Sequence, residues 1–402
     1  MTTTAKNVVF LLLVLAAMAA IFPFFGNAKL LVDENDNYAQ ITNFLHHDFR
    51  LLEISALPGY HFLVTAIAML FGFSSVYEIR IVTAVIGYLS VCVYLFLSVK
   101  IHGKTDFTGT LQYLLMPIIF VFLFLIYTDI ASLMAVMLMV HAVLDRKYTL
   151  AALYGLASML FRQNNVIWIL FAMTLSYAEQ YGHTLSISNL KASISRFWLF
   201  LVCVMLFILF VIFNHGVAVG DAASHPAFKF STGNIFFLLF TIFVMLLPLQ
   251  AAALPKVYSL LTEHKWLFAL LLIIFILYWF SYHPDHPYNR IEPQYYMRNL
   301  ILTRVQLNSV YKLCFFFPVA YALLFLMVTP FISSKYYLIY PFTILFLAPS
   351  WLVEQRYYLI PLVLLMSFRK KSSVLAEWIT IGWFLVILYL MLPLLWQERI
   401  FF

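Results

Sequence analysis

The feature that most limits what this chain can fold into is a recurring series of apolar runs, beginning at Val8 and continuing almost to the C-terminus. Crossing a hydrocarbon core of about 30 Å takes about 20 apolar residues in a helix, and most of these runs approach that length. Charged residues make up only 10% of the 402, where a soluble domain carries about a quarter. A soluble globular fold is therefore ruled out, and the pattern predicts an all-α polytopic membrane protein. Aromatic residues, 18% of the chain, thin out in no segment, so residues 1–402 read as a single integral domain.

The net charge of +7 does not point to nucleic acid, because the basic residues are scattered among short loops and form no tract. Cys92, Cys203 and Cys314 lie inside apolar runs, with neither CxxC nor zinc spacing, and read as inert core thiols. The run Val8 to Phe25 follows Lys6 as a signal peptide would, but no cleavage site followed by a soluble region is visible. It reads as an uncleaved first helix.

With Lys6 in the cytosol, the acidic stretch from Gly26 to Leu57 falls on the opposite side. The next run, Pro58 to Phe73, decides the rest of the topology. If it spans, the pairs Lys100/Lys104, Arg146/Lys147 and Lys256/Lys265 and the run Arg369-Lys370-Lys371 become external, against the positive-inside rule. If it is a juxtamembrane helix in the first external loop, all of them fall in the cytosol. That choice predicts about thirteen spans, near residues 8–25, 79–99, 110–127, 129–144, 148–160, 165–178, 197–215, 233–254, 266–281, 313–331, 336–350, 357–368 and 374–394. The cytosolic loops then carry the basic excess, and the external ones hold nearly every unusual polar residue.

Each polar constellation has a functional and a structural reading. Asp33-Glu34 offers a carboxylate base for a substrate hydroxyl, or is a solvated acidic loop. Asp129, in Tyr127-Thr128-Asp129, sits at membrane depth between two apolar runs, where ionisable groups are expensive and usually functional; it also suits an N-terminal cap. Arg162, in Phe161-Arg162-Gln163-Asn164-Asn165, can fork a phosphate or carboxylate or snorkel to the interface. Asp221 with His225, and His286-Pro287-Tyr288-Asn289-Arg290, suit polar contacts to a sugar better than a metal, because prolines impose irregular backbone instead of ligand spacing. Arg356, in Val353-Glu354-Gln355-Arg356-Tyr357-Tyr358, either pairs with Glu354 or reaches a lipid phosphate at the interface.

Taken in order, Asp33-Glu34 with Gln40, Pro58-Gly59, Tyr127-Thr128-Asp129, Phe161-Arg162-Gln163, Gly220-Asp221 with Ser224-His225, His286-Pro287-Tyr288 and Glu354-Gln355-Arg356-Tyr357 make a specific combination. The chain resembles the dolichyl-phosphate-glucose-dependent α-1,2-glucosyltransferases, which add the last glucose to the lipid-linked N-glycan precursor. The pattern departs at Asn37, where that family commonly has histidine, after Tyr288, and at Gln355, where proline is common.

The resemblance implies a GT-C type bundle, a polyprenyl-phosphate-glucose donor, a lipid-linked oligosaccharide acceptor and no further assigned cofactor or metal. It places the site on the luminal face of the endoplasmic reticulum membrane, or the periplasmic face of a bacterial inner membrane. The implied base is Asp33, Glu34 or Asp129, the donor phosphate falls to Arg356 and Arg162, and Gln40, Gln163, Asp221, His225, His286, Tyr288 and Arg290 are left for sugar and acceptor. A departing phosphate needs no proton, so one base and cations for the developing charge suffice. The rivals are a GT-C enzyme for another sugar or acceptor, and a secondary transporter or lipid flippase.

Overall fold

The computed structural model describes every residue except 1, 2, 53, 183, 185, 221–225, 227, 228, 372 and 402. Among the described residues there are helices and two isolated bridges, and no strand. In chain order the helices are α1 (Thr3–Gly26), α2 (Glu34–Leu45), α3 (Gly59–Phe71), α4 (Val76–His102), α5 (Phe107–Leu115), α6 (Pro117–Phe120), α7 (Thr128–Leu144), α8 (Tyr148–Phe161), α9 (Val166–Tyr181), α10 (Ile187–Arg196) and α11 (Trp198–Phe213). They continue with α12 (Gly233–Met245), α13 (Leu247–Glu263), α14 (Trp266–Ser281), α15 (Met297–Leu307), α16 (Ser309–Val328), α17 (Ile339–Leu347), α18 (Leu359–Phe368) and α19 (Val374–Trp396).

The chain is a multi-pass membrane protein. Four helices, α1, α4, α16 and α19, are each long and apolar enough to cross a membrane, and three bent pairs raise the number to seven when each pair is taken as one span. Large apolar side chains such as Leu12, Leu13, Phe213 and Tyr389 are exposed, as expected of surface that meets lipid.

Local signals set several boundaries. α4 opens on a reciprocal capping box, with Glu78 N–H on Ser75 Oγ and Ser75 N–H on Glu78 Oε2, and stops at Gly103 with φ of 68°. Only a residue without Cβ takes that φ at no cost. The span expected over 110–127 is interrupted: α5 ends before Pro117, which cannot donate to a preceding turn. Residues 121–123 form a 3₁₀ turn, and the helical segment 117–123 meets α7 at 107°. The run expected over 233–254 likewise breaks at Leu246, two residues before Pro248, with a 98° bend between α12 and α13. Gln250 donates to the carbonyls of Ile242 and Phe243, satisfying groups that the break leaves open.

The contacts gather into two compact units: residues 1–114, 119–227 and 335–342, and residues 115–118, 228–334 and 343–402. In the first, α7 packs on α4, α8 and α9, α1 lies on α4, and α2 pairs with α3. Residues 119–133, the interior of this unit, are buried without interruption. In the second, α12 and α13 pack on α16, α13 on α19, and α15 on α16.

Candidate functional site

In the first unit, two of the expected residues, Asp129 and Arg162, meet at the start of α7. Asp129 lies in the first turn of α7, where a carboxylate is favoured by the exposed amides of a helix start, and is almost fully buried. Arg162 reaches it from the link between α8 and α9 and forms an ion pair through Nη1 and Oδ1. The link is shaped to present that arginine: α8 stops at Phe161, Arg162 is extended (φ −148°, ψ 111°), and residues 163–165 form a single 3₁₀ turn. Asn165 then donates to Ser132 Oγ at 2.6 Å and to the Ser158 carbonyl at 2.9 Å. That side chain ties the link to α7 one turn beyond Asp129.

The adjacent acids of the first external stretch separate in role. Glu34 is fully buried, and each of its oxygens accepts two hydrogen bonds: Oε1 from Arg80 Nε (3.0 Å) and Ile126 N–H (2.9 Å), Oε2 from Arg80 Nη2 (2.7 Å) and Leu31 N–H (2.9 Å). Arg80 spends its other donors on the carbonyls of Phe25, Ala28 and Lys29 at the end of α1. Glu34 thus clamps α1, α2, α4 and the approach to Asp129, and four donors leave it poorly placed to take a substrate proton. Asp33, half-buried at the N-terminal boundary of α2, makes no capping bond of its own.

α3 is anchored on both sides of this region. A Cβ on Gly59 would lie 2.7 Å from the Leu160 carbonyl, so Pro58-Gly59 permits contact with the end of α8, two residues before Arg162. His61 Nε2 meets Asn37 Oδ1 at 2.8 Å, and Asn37 donates to the Ile126 carbonyl at 2.9 Å. Gln40 accepts from Leu52 N–H and donates to the Arg50 carbonyl; Gln163 accepts from Leu57 N–H and donates to the carbonyls of Ser55 and Val217. Both glutamines, expected at sugar, hold the backbone of the loop between α2 and α3.

In the second unit, three buried asparagines position the segment of Glu354. Asn234 Oδ1 accepts from Glu354 N–H and the Tyr358 hydroxyl, Asn289 brackets Val353 through both its amide atoms, and Asn299 donates to the carbonyls of Tyr288 and Ile291. The Glu354 carboxylate lies 2.9 Å from Arg298 and 3.5 Å from Arg356. Two guanidiniums therefore share one carboxylate, and Arg356 is the more exposed of them. His286 is buried, with Nδ1 accepting from Tyr288 N–H and its ring against Trp351; Tyr288 and Arg290 are exposed. Burial pushes the Asp285 carboxyl up, but the Trp351 indole N–H, a backbone donor and the positive charges of Lys229 and Arg290 outweigh it, holding the group below the ordinary carboxylate range.

Comparison with protein-family models matches the DIE2/ALG10 family over residues 28–189 and 177–367. The chain belongs to this family. Among its relatives is a Dol-P-Glc:Glc(2)Man(9)GlcNAc(2)-PP-Dol alpha-1,2-glucosyltransferase of Candida albicans, 25% identical over 237 residues that make up 52% of each chain. Proteins of the same description match from Homo sapiens, 24% identical over 47% of each chain, and from Arabidopsis thaliana, 49% identical over 57 residues, 14% of this chain and 11% of that one. The chain spans about half the length of the curated relatives it matches at greatest extent. No solved structure matches.

Within this DIE2/ALG10 chain the structure joins Asp129 to Arg162 and Glu354 to Arg356. Asp221 and His225 lie outside the described residues. Two arginines central to these clusters, Arg80 and Arg298, were not among the expected site residues. Arg80 carried a usable signal: an arginine inside a long apolar helix demands a buried partner. Arg298 follows a tyrosine-rich loop and carries no comparable mark.

Proposed function

We propose that the chain is a GT-C type membrane glucosyltransferase with about thirteen spans, α3 lying along the membrane surface. It moves glucose from a polyprenyl, or dolichyl, phosphate carrier onto a lipid-linked oligosaccharide in α-1,2 linkage. The observation that supports this reading best is the buried Asp129–Arg162 pair at a broken helix, in a chain of the DIE2/ALG10 family. In the reaction an acceptor hydroxyl oxygen bonds to the anomeric carbon, the bond from that carbon to the phosphate oxygen breaks, and the base takes the hydroxyl proton. Asp129 is the first candidate for the base and Asp33 the second. Arg162 and Arg356 are the cations proposed for the phosphate, and His286, Tyr288 and Arg290 for sugar and acceptor. The reaction side is luminal, or periplasmic in a bacterial cell.

The test is purified protein in liposomes, given a lipid-linked oligosaccharide and either dolichyl-phosphate-glucose or dolichyl-phosphate-mannose. The expected result is transfer of glucose alone, in a product sensitive to an α-1,2-specific glucosidase. Transfer of only the other sugar supports the GT-C rival, and lipid movement across the bilayer without transfer supports the flippase.

A further inference from the structure

In the second unit a cleft opens between α13, the end of α16 and the residues that follow α18, and the transferase reading has no use for it. α13 lines it with Leu249, Ala252, Ala253 and Lys256, spaced as one face of a helix. The two alanines leave the gap that larger side chains would fill. Phe325 and Val328 of α16 make the apolar wall opposite, and Arg369 and Lys370 close the far end. That end is pinned by main-chain bonds: Lys370 N–H donates to the Pro330 carbonyl at 2.8 Å, and Ile332 N–H to the Phe368 carbonyl at 3.0 Å. The lysine side chain takes no part in holding it.

The charges of this cleft do not balance. Arg369 is spent on Glu377, which it grips at two points of 2.6 Å each. Lys256 and Lys370 are exposed, and among the described residues neither forms an ion pair. No carboxylate is among the described residues that line the cleft. Two ammonium groups brought to one place repel each other unless an anion lies between them. The interior holds about 30 Å³, room for about two water-sized atoms, so a phosphate enters by its oxygens and the rest of its molecule lies across the mouth.

We propose that the cleft binds the headgroup phosphate of an anionic glycerophospholipid, with Lys256 and Lys370 sharing the phosphate oxygens. The acyl chains then follow the apolar part of the same face of α13, past Ala253, Ala252 and Leu249, over about 10 Å. The polarity of that face, cation at one end and hydrocarbon at the other, is the polarity of the lipid. Its depth suits as well, because α16 is long and apolar enough to cross a membrane and the cleft lies at its end. Phosphatidylcholine brings its own cation and leaves the lysines uncompensated; a lipid of net negative charge does not. On the topology proposed above this end faces the cytosolic leaflet, where anionic headgroups create a negative surface. The phosphate of the sugar carrier belongs to the opposite face, so it is not the occupant.

This inference stands apart from the transferase reading, and its test needs no turnover. Full-length protein, delipidated in detergent, is given phosphatidylglycerol or phosphatidylcholine with the same acyl chains, and bound lipid is counted by native mass spectrometry. Wild-type protein should hold phosphatidylglycerol about 10- to 30-fold more tightly, the worth of two lysines at an anionic headgroup, and should unfold at a higher temperature with it. The double variant Lys256→Gln, Lys370→Gln should lose that preference and still unfold in phosphatidylcholine at the wild-type temperature, since both side chains are exposed. Lys256→Arg with Lys370→Arg should keep the preference. Lys104→Gln with Lys265→Gln, which removes as much charge elsewhere, should keep it too. Preference unchanged in the Lys256→Gln, Lys370→Gln protein overturns the inference. Equal loss in the Lys104→Gln, Lys265→Gln protein overturns it as well, leaving only the diffuse charge of basic loops. Displacement of phosphatidylglycerol by equimolar dolichyl phosphate would also overturn it and give the cleft to the carrier lipid.

Discussion

Arg80 and Glu34, 46 residues apart in the chain, form a two-point fork in the interior of the first unit, with both side chains fully removed from solvent. The same arginine closes the end of α1 through three main-chain carbonyls, and the same glutamate holds the amides of Leu31 and Ile126. The pair is therefore the bolt that sets the backbone three residues ahead of Asp129. Removing one partner strands a buried charge, at about 3–5 kcal/mol.

Glu34→Gln and Arg80→Met should each lose most of their folded yield or unfold at clearly lower temperature. The double variant should recover part of that loss, because no charge is then left alone. Arg80→Lys should rescue poorly, since an ammonium cannot reproduce the fork and its main-chain bonds together. Thermal unfolding in detergent decides it. Near-normal stability of Glu34→Gln with abolished turnover would return Glu34 to the role of base.

For Asp129, Asp129→Asn should reduce turnover by about 10² to 10⁴ while donor binding survives. Asp33→Asn should cost much less. The reverse order of effects, in proteins of equal folded yield, would transfer the base to Asp33.

These contrasts mark where sequence and structure part. The apolar runs were legible because burial in lipid asks only for composition and length, and the ends of α4 because capping is local. Pro117 and Pro248 stood in view, but the angle a chain takes after a break depends on what it packs against. Asp33 and Glu34 are equivalent as letters. Only the arrival of Arg80 from α4 separates them, and neither periodicity nor spacing encodes that approach. Gln40 and Gln163 have a structural task that the pattern did not reveal: irregular backbone needs amide side chains to satisfy it. Arg298 was missed because its partner, Glu354, is distant in sequence and has a nearer arginine at 356 that already explains it.

The proposed sidedness rests on the distribution of basic loops. On a cysteine-free background, cysteine at Asn35 or Arg290, both exposed, should react with an impermeant thiol reagent from the luminal or periplasmic side. Cysteine at Lys104 or Lys265, exposed as well, should react only after permeabilisation. Labelling of Lys104 from outside with protection of Asn35 would mean that α3 spans, and every later loop would invert.

The last prediction concerns the shared carboxylate of the second unit. Glu354 is nearer to Arg298, at 2.9 Å, than to Arg356, at 3.5 Å, and Arg298 is the more buried of the two arginines. A structural pair and a ligand-binding cation then fall on different residues. Arg298→Met should destabilise the fold, by about 3–5 kcal/mol if the carboxylate is left unmatched. Donor affinity in the folded fraction should change little. Arg356→Ala should leave stability nearly intact, since Arg298 still neutralises Glu354, but should weaken donor binding and slow transfer, because negative charge grows on the departing phosphate. Arg356→Lys keeps the charge without the planar fork and should recover only part of the affinity. Glu354→Gln should loosen the segment that the three asparagines hold and, by removing the carboxylate that the two guanidiniums share, tighten binding of polyprenyl phosphate in whatever fraction stays folded. Donor binding and thermal unfolding measured side by side on these four proteins separate the roles. Well-folded Arg356→Ala protein with wild-type affinity and rate would remove Arg356 from the phosphate and leave that task to Arg162 or Arg290.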